Sequence, residues 1–165
     1  MTHDNQTPIN VRECTHVGAQ VRDVRKTIDV FSKLFGWGSW ENRRLKTERK
    51  AIDKNGKQFT YNSTGAFVRL GHVVLDITET HGEDCRTEWV AHTGGGLHHL
   101  SFEADDLEDV VAKLEKLRIP ILESAKLEDG KYMFVYIDIE GIVIEILRKG
   151  LEAAHRPSPV LPEWK

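Results

Sequence analysis

Cysteine is nearly absent from this chain of 165 residues: Cys14 and Cys85 stand alone, without CxxC spacing. That excludes a disulfide-stapled secreted scaffold and a thiolate-rich metal centre, and makes a reducing, cytoplasmic setting the expectation. Proline is scarce as well, with three of the five residues in the final stretch AAHRPSPVLPEWK. No run approaches the roughly 18 apolar residues of a membrane-spanning helix, and no apolar segment near the start resembles a signal peptide. Neither sign of charge dominates: 23 Lys and Arg against 26 Asp and Glu leave a net −3. A global attraction for nucleic acid or anionic membrane is therefore not expected. One local excess of positive charge, NRRLKTERK at 42 to 50, reads as a solvated edge strand or loop before it reads as a phosphate site.

What the chain does have is one pattern written twice. THVGAQVRDVRKTIDVFSKLFGW (15 to 37) aligns with HHLSFEADDLEDVVAKLEKLRIP (98 to 120) at a shift of 99 − 16 = 83 positions. His16 falls on His99, Asp23 on Asp106, Val24 on Leu107, Ile28 on Val111 and Leu34 on Leu117. Each copy opens with an alternating strand, continues with an Asp suited to an N-cap, and proceeds into a helix with apolar residues at spacings of three and four. Three strand candidates follow each helix: about 39 to 48, 58 to 70 and 73 to 80, then about 120 to 127, 131 to 138 and 142 to 148. The expectation is an α+β fold of two tandem βαβββ modules whose mixed sheets curl around a shared metal-binding cavity. Its parts are a leader over 1–10, modules over 11–93 and 94–149, and an irregular tail over 150–165.

Strand alternation assigns faces. In the first strand Val17, Ala19 and Val21 suit the helix side, leaving His16, Gly18 and Gln20 opposite. In 97 to 103, Leu100 and Phe102 suit the helix side, leaving His99, Ser101 and Glu103 opposite. Alternation therefore sends His98 to the core side and His99 to the open face. Asp76 interrupts the apolar series Val73, Leu75, Ile77, and Glu145 interrupts Ile142, Ile144, Ile146. A carboxylate inside such a run is costly to bury unless it is paired or binds a metal. His16, Asp76, His99 and Glu145 thus project from the open faces of four strands, two per repeat. Two imidazoles and two carboxylates suit one divalent ion: Zn, Ni, Co, Fe(II) or Mn.

On these residues, and on GLHHLSFEADDLEDVVAKLEKLRIPI and FVYIDIEGIVIEIL, the chain over about 11 to 149 resembles the vicinal oxygen chelate superfamily. That superfamily includes glyoxalase I, methylmalonyl-CoA epimerase, extradiol dioxygenases and the bleomycin and fosfomycin resistance proteins. The epimerase branch is the most similar. The resemblance implies metal ligation by His16, Asp76, His99 and Glu145, chelation of a small substrate through two adjacent oxygens, an enolate-type intermediate, and a homodimer. Two features depart from that branch. Asp76 stands where Gln or Glu is usual, and the third strand offers Phe67, Arg69, Gly65, Ser63 and Tyr61 on the metal side but no acidic base. The second departure points away from methylmalonyl-CoA as the substrate while leaving the reaction type in place.

The functional expectation is a divalent-metal-dependent lyase, isomerase or epimerase acting on a small carbonyl or carboxylate substrate. Glu103 is the candidate base and Tyr136 the candidate acid. Gln20, Arg69, Ser101, Tyr132 and Phe134 are the candidate substrate pocket. Without Asp76 the set becomes a two-His-one-carboxylate triad, which suits an Fe(II) extradiol-type dioxygenase. A metal-free ligand-binding protein of the bleomycin-resistance kind is the third reading.

Overall fold

The computed structural model describes residues 9–38 and 40–151, with 42–49 and 61 described by their backbone alone. Residues 1–8 of the expected leader and 152–165 of the expected tail lie outside the described residues. The first repeat runs β1 (Cys14–Gln20), α1 (Val24–Phe35), β2 (Glu41–Asp53), β3 (Gln58–Leu70) and β4 (Val73–His81). The second runs β5 (Gly96–Ala104), α3 (Leu107–Lys116), β6 (Ile121–Lys126), β7 (Tyr132–Ile139) and β8 (Ile142–Arg148). Between them lies α2 (Cys85–Thr93), a helix the apolar periodicity does not foretell.

Local chemistry starts and stops the helices. Asp23 and Asp106 take the N-caps of α1 and α3, accepting from Lys26 N and Asp109 N. The side chain of Asp84 accepts from Arg86 N and Thr87 N at the start of α2. Gly36 and Gly94 end α1 and α2 in the left-handed conformation that glycine tolerates.

The eight strands close into a barrel in the order β1-β4-β3-β2-β6-β7-β8-β5. Within each repeat the first strand lies parallel to the last, β1 with β4 and β5 with β8. The repeats meet at two antiparallel seams. One is long, between β1 and β5. The other is short, where Ala51, Ile52 and Asp53 of β2 pair with Ala125, Ser124 and Glu123 of β6.

The apolar residues divide between the outside and the inside of this barrel. Leu107, Val110, Val111 and Leu114 of α3 pack on Ala104, Val135, Ile137 and Ile146. Val24 of α1 packs on Ala19, Ala66 and Ile77. Each large aliphatic buried this way contributes about 1.5–3 kcal/mol. Phe134, Tyr136, Leu147, Ala51 and Ala125 turn the other way, into the interior. Val73 and Ile142, the first residues of β4 and β8, are exposed rather than buried as alternation suggests.

Three interruptions of strand register decide where several side chains point. Between β1 and β5, Cys14 pairs with Phe102 and His16 with Ser101, leaving Thr15 as an extra residue. Farther along, Gly18 pairs with His99 and Ala19 with Leu97, leaving His98 extra. Between β6 and β7, Ala125 pairs with Phe134 and Lys126 with Tyr132, leaving Met133 extra. Each is a β-bulge, which breaks the alternation of faces.

Candidate metal centre

Strand pairing alone brings three ligand-type side chains together. Ser101 of β5 is opposite His16 across one edge and Glu145 across the other, and His99 is two residues away on the same face. His16 Nε2 lies 3.3 Å from His99 Nε2, and each lies 3.4 Å from Glu145 Oε2. The side chains of His16, His99 and Glu145 are only 6 %, 8 % and 8 % exposed. A tetrahedral ion with bonds of about 2.0–2.1 Å spaces its donors by about 3.3–3.4 Å, so the triangle has the size a divalent ion requires. The donor chemistry, two imidazole nitrogens and one carboxylate oxygen, fits the same ions.

The surroundings hold this triangle in shape. A Cβ built on Gly18 would stand 2.0 Å from Cε1 and 2.3 Å from Nε2 of His99, so the ring occupies the space of a missing side chain. Tyr136 Oη donates to Glu145 Oε1 at 2.5 Å, leaving Oε2 toward the histidines. Burial opposes ionisation of Glu145, yet His99 and His16 in their protonated forms, with the Tyr136 hydroxyl, hold its carboxyl well below the usual range. Burial, with Glu145 next, pushes the Tyr136 phenol well above its ordinary value. The Ser101 side chain is fully buried, and among the described residues its Oγ has no hydrogen-bond partner.

His98 departs from the alternation expected of it. Its Nδ1 lies 3.0 Å from His99 Nδ1, and both rings meet Tyr136, with centroids 6.0 and 5.1 Å away. The bulge places the two neighbours on one side of the strand. Trp89 of α2 packs perpendicular to His98 at 5.1 Å. Burial, then the nearby His99 and Arg86, push the His98 imidazole down to about 3, which keeps it neutral.

α2 also sends Arg86 into the barrel. Its Nε and Nη2 donate to Glu123 Oε2 and Oε1 at 3.1 and 2.6 Å, and the guanidinium lies 4.9 Å from the Tyr136 ring centre. Both residues are buried, at 7 % and 4 % exposure. Pairing is what makes two such charges tolerable there.

The other residues singled out in the sequence fall as follows. Asp76, expected as the fourth ligand, stands outside the group His16, His99, Glu145. It pairs with Gly18 just as Glu145 pairs with Ser101, so its backbone is equivalently placed, but its side chain has about 1.5 Å less reach. Glu103 is not beside the ligands. It lies four residues past His99, about 13 Å along the strand, and its Oε1 accepts from Gly150 N at 3.3 Å. Tyr136 is at the centre, but its hydroxyl hydrogen is engaged by Glu145 rather than held for a substrate. Tyr132 leaves the pocket altogether: the bulge at Met133 turns it toward the α3 core, where Lys126 lies 4.5 Å from its ring centre. Arg69 is exposed near the β3–β4 turn, opposite Val74. Gln20 is buried and accepts from Thr80 Oγ1 at 3.0 Å, and Phe134 lines the interior beside Arg86. Gly18, Thr15, His98, Arg86 and Glu123 join the site without being among the candidates the sequence offers. The glycine of HVG on the open face signals the first, whereas nothing in the sequence signals Arg86.

A family model described as the Glyoxalase/Bleomycin resistance protein/Dioxygenase superfamily matches residues 15–136. A comparison with curated proteins gave no match. Among solved structures, a variant of Streptomyces coelicolor methylmalonyl-CoA epimerase in complex with 2-nitronate-propionyl-CoA superposes with a TM-score of 0.57 at 12% identity, covering 86% of this chain and 99% of the other. The methylmalonyl-CoA epimerase of Mycobacterium tuberculosis gives 0.55 at 16%, covering 92% and 97%. A hypothetical protein from Bacillus halodurans C-125 gives 0.61 at 12%, covering 83% and 94%. At these identities the likeness is one of fold.

Proposed function

The chain belongs to the Glyoxalase/Bleomycin resistance protein/Dioxygenase superfamily, and from that premise we propose a divalent-metal-dependent lyase, isomerase or epimerase of small substrates with two adjacent oxygens. The observation that carries this reading is the buried triangle of His16 Nε2, His99 Nε2 and Glu145 Oε2 with edges of 3.3–3.4 Å. A divalent ion held by these three atoms supplies Lewis-acid polarisation of a carbonyl or carboxylate oxygen. Neutral imidazoles and one carboxylate leave such a site with a net positive charge, which favours an oxygen-rich, anionic partner.

The chain's own groups then bind and move protons. Ser101, fully buried between His16 and Glu145 on the neighbouring strands, supports the two ligands rather than meeting substrate. Tyr136 holds Glu145 Oε1 and keeps water from it. Asp76 pairs with Gly18 on the strand beside His16 and stands outside the group His16, His99, Glu145. In this reading Asp76 is assigned the role of base, taking a proton from the substrate carbon next to the chelating oxygens. The same reading includes a cytoplasmic setting, which suits two unpaired cysteines, and a homodimer.

Metal analysis of the purified protein is the first test. About one divalent ion per chain is expected, lost in His99→Ala and Glu145→Ala and kept in Asp76→Asn. A metal-free protein with unchanged ligand binding in His99→Ala would sink the reading and leave the ligand-binding alternative. The grouping of two histidines with one carboxylate among the described residues favours one second reading, an Fe(II) extradiol-type dioxygenase. Oxygen uptake with catechols after loading with ferrous ion would decide for it.

A further inference from the structure

Each ligand histidine follows a bulged residue, and the two bulges correspond across the repeat. Thr15 is the extra residue of β1 and His98 the extra residue of β5, at the same 83-residue shift that relates His16 to His99. Without a bulge, the residue before a ligand would point to the opposite face. With it, both side chains reach the far nitrogen of the ring that follows. Thr15 Oγ1 lies 3.2 Å from His16 Nδ1, and His98 Nδ1 lies 3.0 Å from His99 Nδ1.

The donors available fix the direction of these hydrogen bonds. Thr15 has one hydroxyl hydrogen, which goes to the Ser101 carbonyl at 3.2 Å. Toward His16 it therefore accepts, and the His16 hydrogen sits on Nδ1. Ligation through Nε2 likewise requires the His99 hydrogen on Nδ1, so His98 Nδ1 is the acceptor and carries its own hydrogen on Nε2. Both ligand rings then present bare Nε2 lone pairs to each other and to Glu145 Oε2, across 3.3–3.4 Å with no hydrogen between them. Three converging lone pairs are unfavourable until a cation joins them.

We propose that Thr15 and His98 are paired positioning residues, set by twin β-bulges, that fix His16 and His99 as Nε2 metal ligands. The inference rests on the metal-binding reading above, but part of its test does not. Partners on the far side of a ligating imidazole typically govern metal affinity by 10- to 100-fold. The two acceptors differ in kind from the carboxylate often found in this role. Both are neutral, so they orient the rings without adding negative charge to the ion.

The experiment uses the full chain and Thr15→Val, His98→Leu, Thr15→Ser and His98→Asn, the last two keeping an acceptor in place. At about pH 9, imidazole ¹⁵N spectra should show His16 as the Nδ1–H tautomer in the metal-free protein, and His99 as well once Zn(II) is bound. Thr15→Val should release the first and His98→Leu the second, while Thr15→Ser and His98→Asn retain both. Co(II) titration should show affinity about 10- to 100-fold weaker in Thr15→Val and in His98→Leu, with near-native values for Thr15→Ser and His98→Asn. Unchanged tautomers in Thr15→Val and His98→Leu would overturn the proposal, as would unaltered Co(II) binding. If the unmodified chain binds no Co(II) at all, the metal reading and the role of His98 fail, and the metal-free His16 tautomer alone decides whether Thr15 orients its ring.

Discussion

Gly18 has no room for a side chain, because the His99 ring stands where its Cβ would be. Gly18→Ala must displace that ring or the strand, an overpacking that costs about 1–3 kcal/mol. The expected outcome is a folded protein whose Co(II) affinity falls at least about tenfold, checked by titration alongside thermal unfolding. Native-like binding would show that the ring does not depend on this gap. A second residue-scale expectation concerns Cys85. The residue is exposed, but partial desolvation of its thiol, and then the neighbouring Glu123, push it up to about 12, so at pH 8 the thiolate is a small minority. Alkylation at Cys85 should run on the order of 10³-fold slower than for a free cysteine, as peptide mapping after timed iodoacetamide treatment would report. Much at this scale was legible in the sequence. Alternation put His16, His99, Glu145, Ser101 and Asp76 on the interior face. It could not show that Asp76 stands outside the group His16, His99, Glu145, because reach depends on where the strands stand around the barrel.

At the scale of elements, strands with a helix after the first were readable because each repeat supplies an Asp cap and an apolar stripe. Bulges were not readable. One extra residue changes neither composition nor hydrophobicity, yet it inverts the face of what lies beyond it. That is how His98 came to the site and Tyr132 left it. α2 was hidden for another reason: CRTEWVAHT lacks an apolar stripe, and its buried residue is a charged one, Arg86. The helix is held by its Asp84 cap, by Trp89 on His98, and by the Arg86–Glu123 pair reaching β6. Removing one partner leaves the other charge inside the barrel without its oppositely charged counterpart. Glu123→Ala should therefore cost about 3–5 kcal/mol, whereas the double change Arg86→Met with Glu123→Leu should be near neutral or stabilising. Urea unfolding of the single and double variants measures both. Equal losses in the two would mean that the pair contributes more than its own neutralisation.

At the scale of the whole molecule, the duplication makes the site a joint between halves. His16 belongs to the first repeat, His99 and Glu145 to the second, and they meet at the long β1–β5 seam. The opposite seam is short, confined to the ends of β2 and β6. An ion at the triangle therefore ties the repeats together in the folded state and has no comparable site in the unfolded chain, where the three ligands are far apart in sequence. Binding only the folded state stabilises it by about 2.7 kcal/mol when free metal is 100 times the dissociation constant. For a chain of this size each kcal/mol raises the midpoint by about 2–4 °C, so adding Zn(II) to chelator-stripped protein should raise Tm by about 5–11 °C. Glu145→Ala should abolish that increment, and Glu123→Ala, which lowers the baseline without touching the triangle, should preserve it. Scanning calorimetry with and without metal separates the two. An equal metal-induced rise in wild type and Glu145→Ala would place the ion elsewhere on the protein and leave the seam between repeats held by its strands alone.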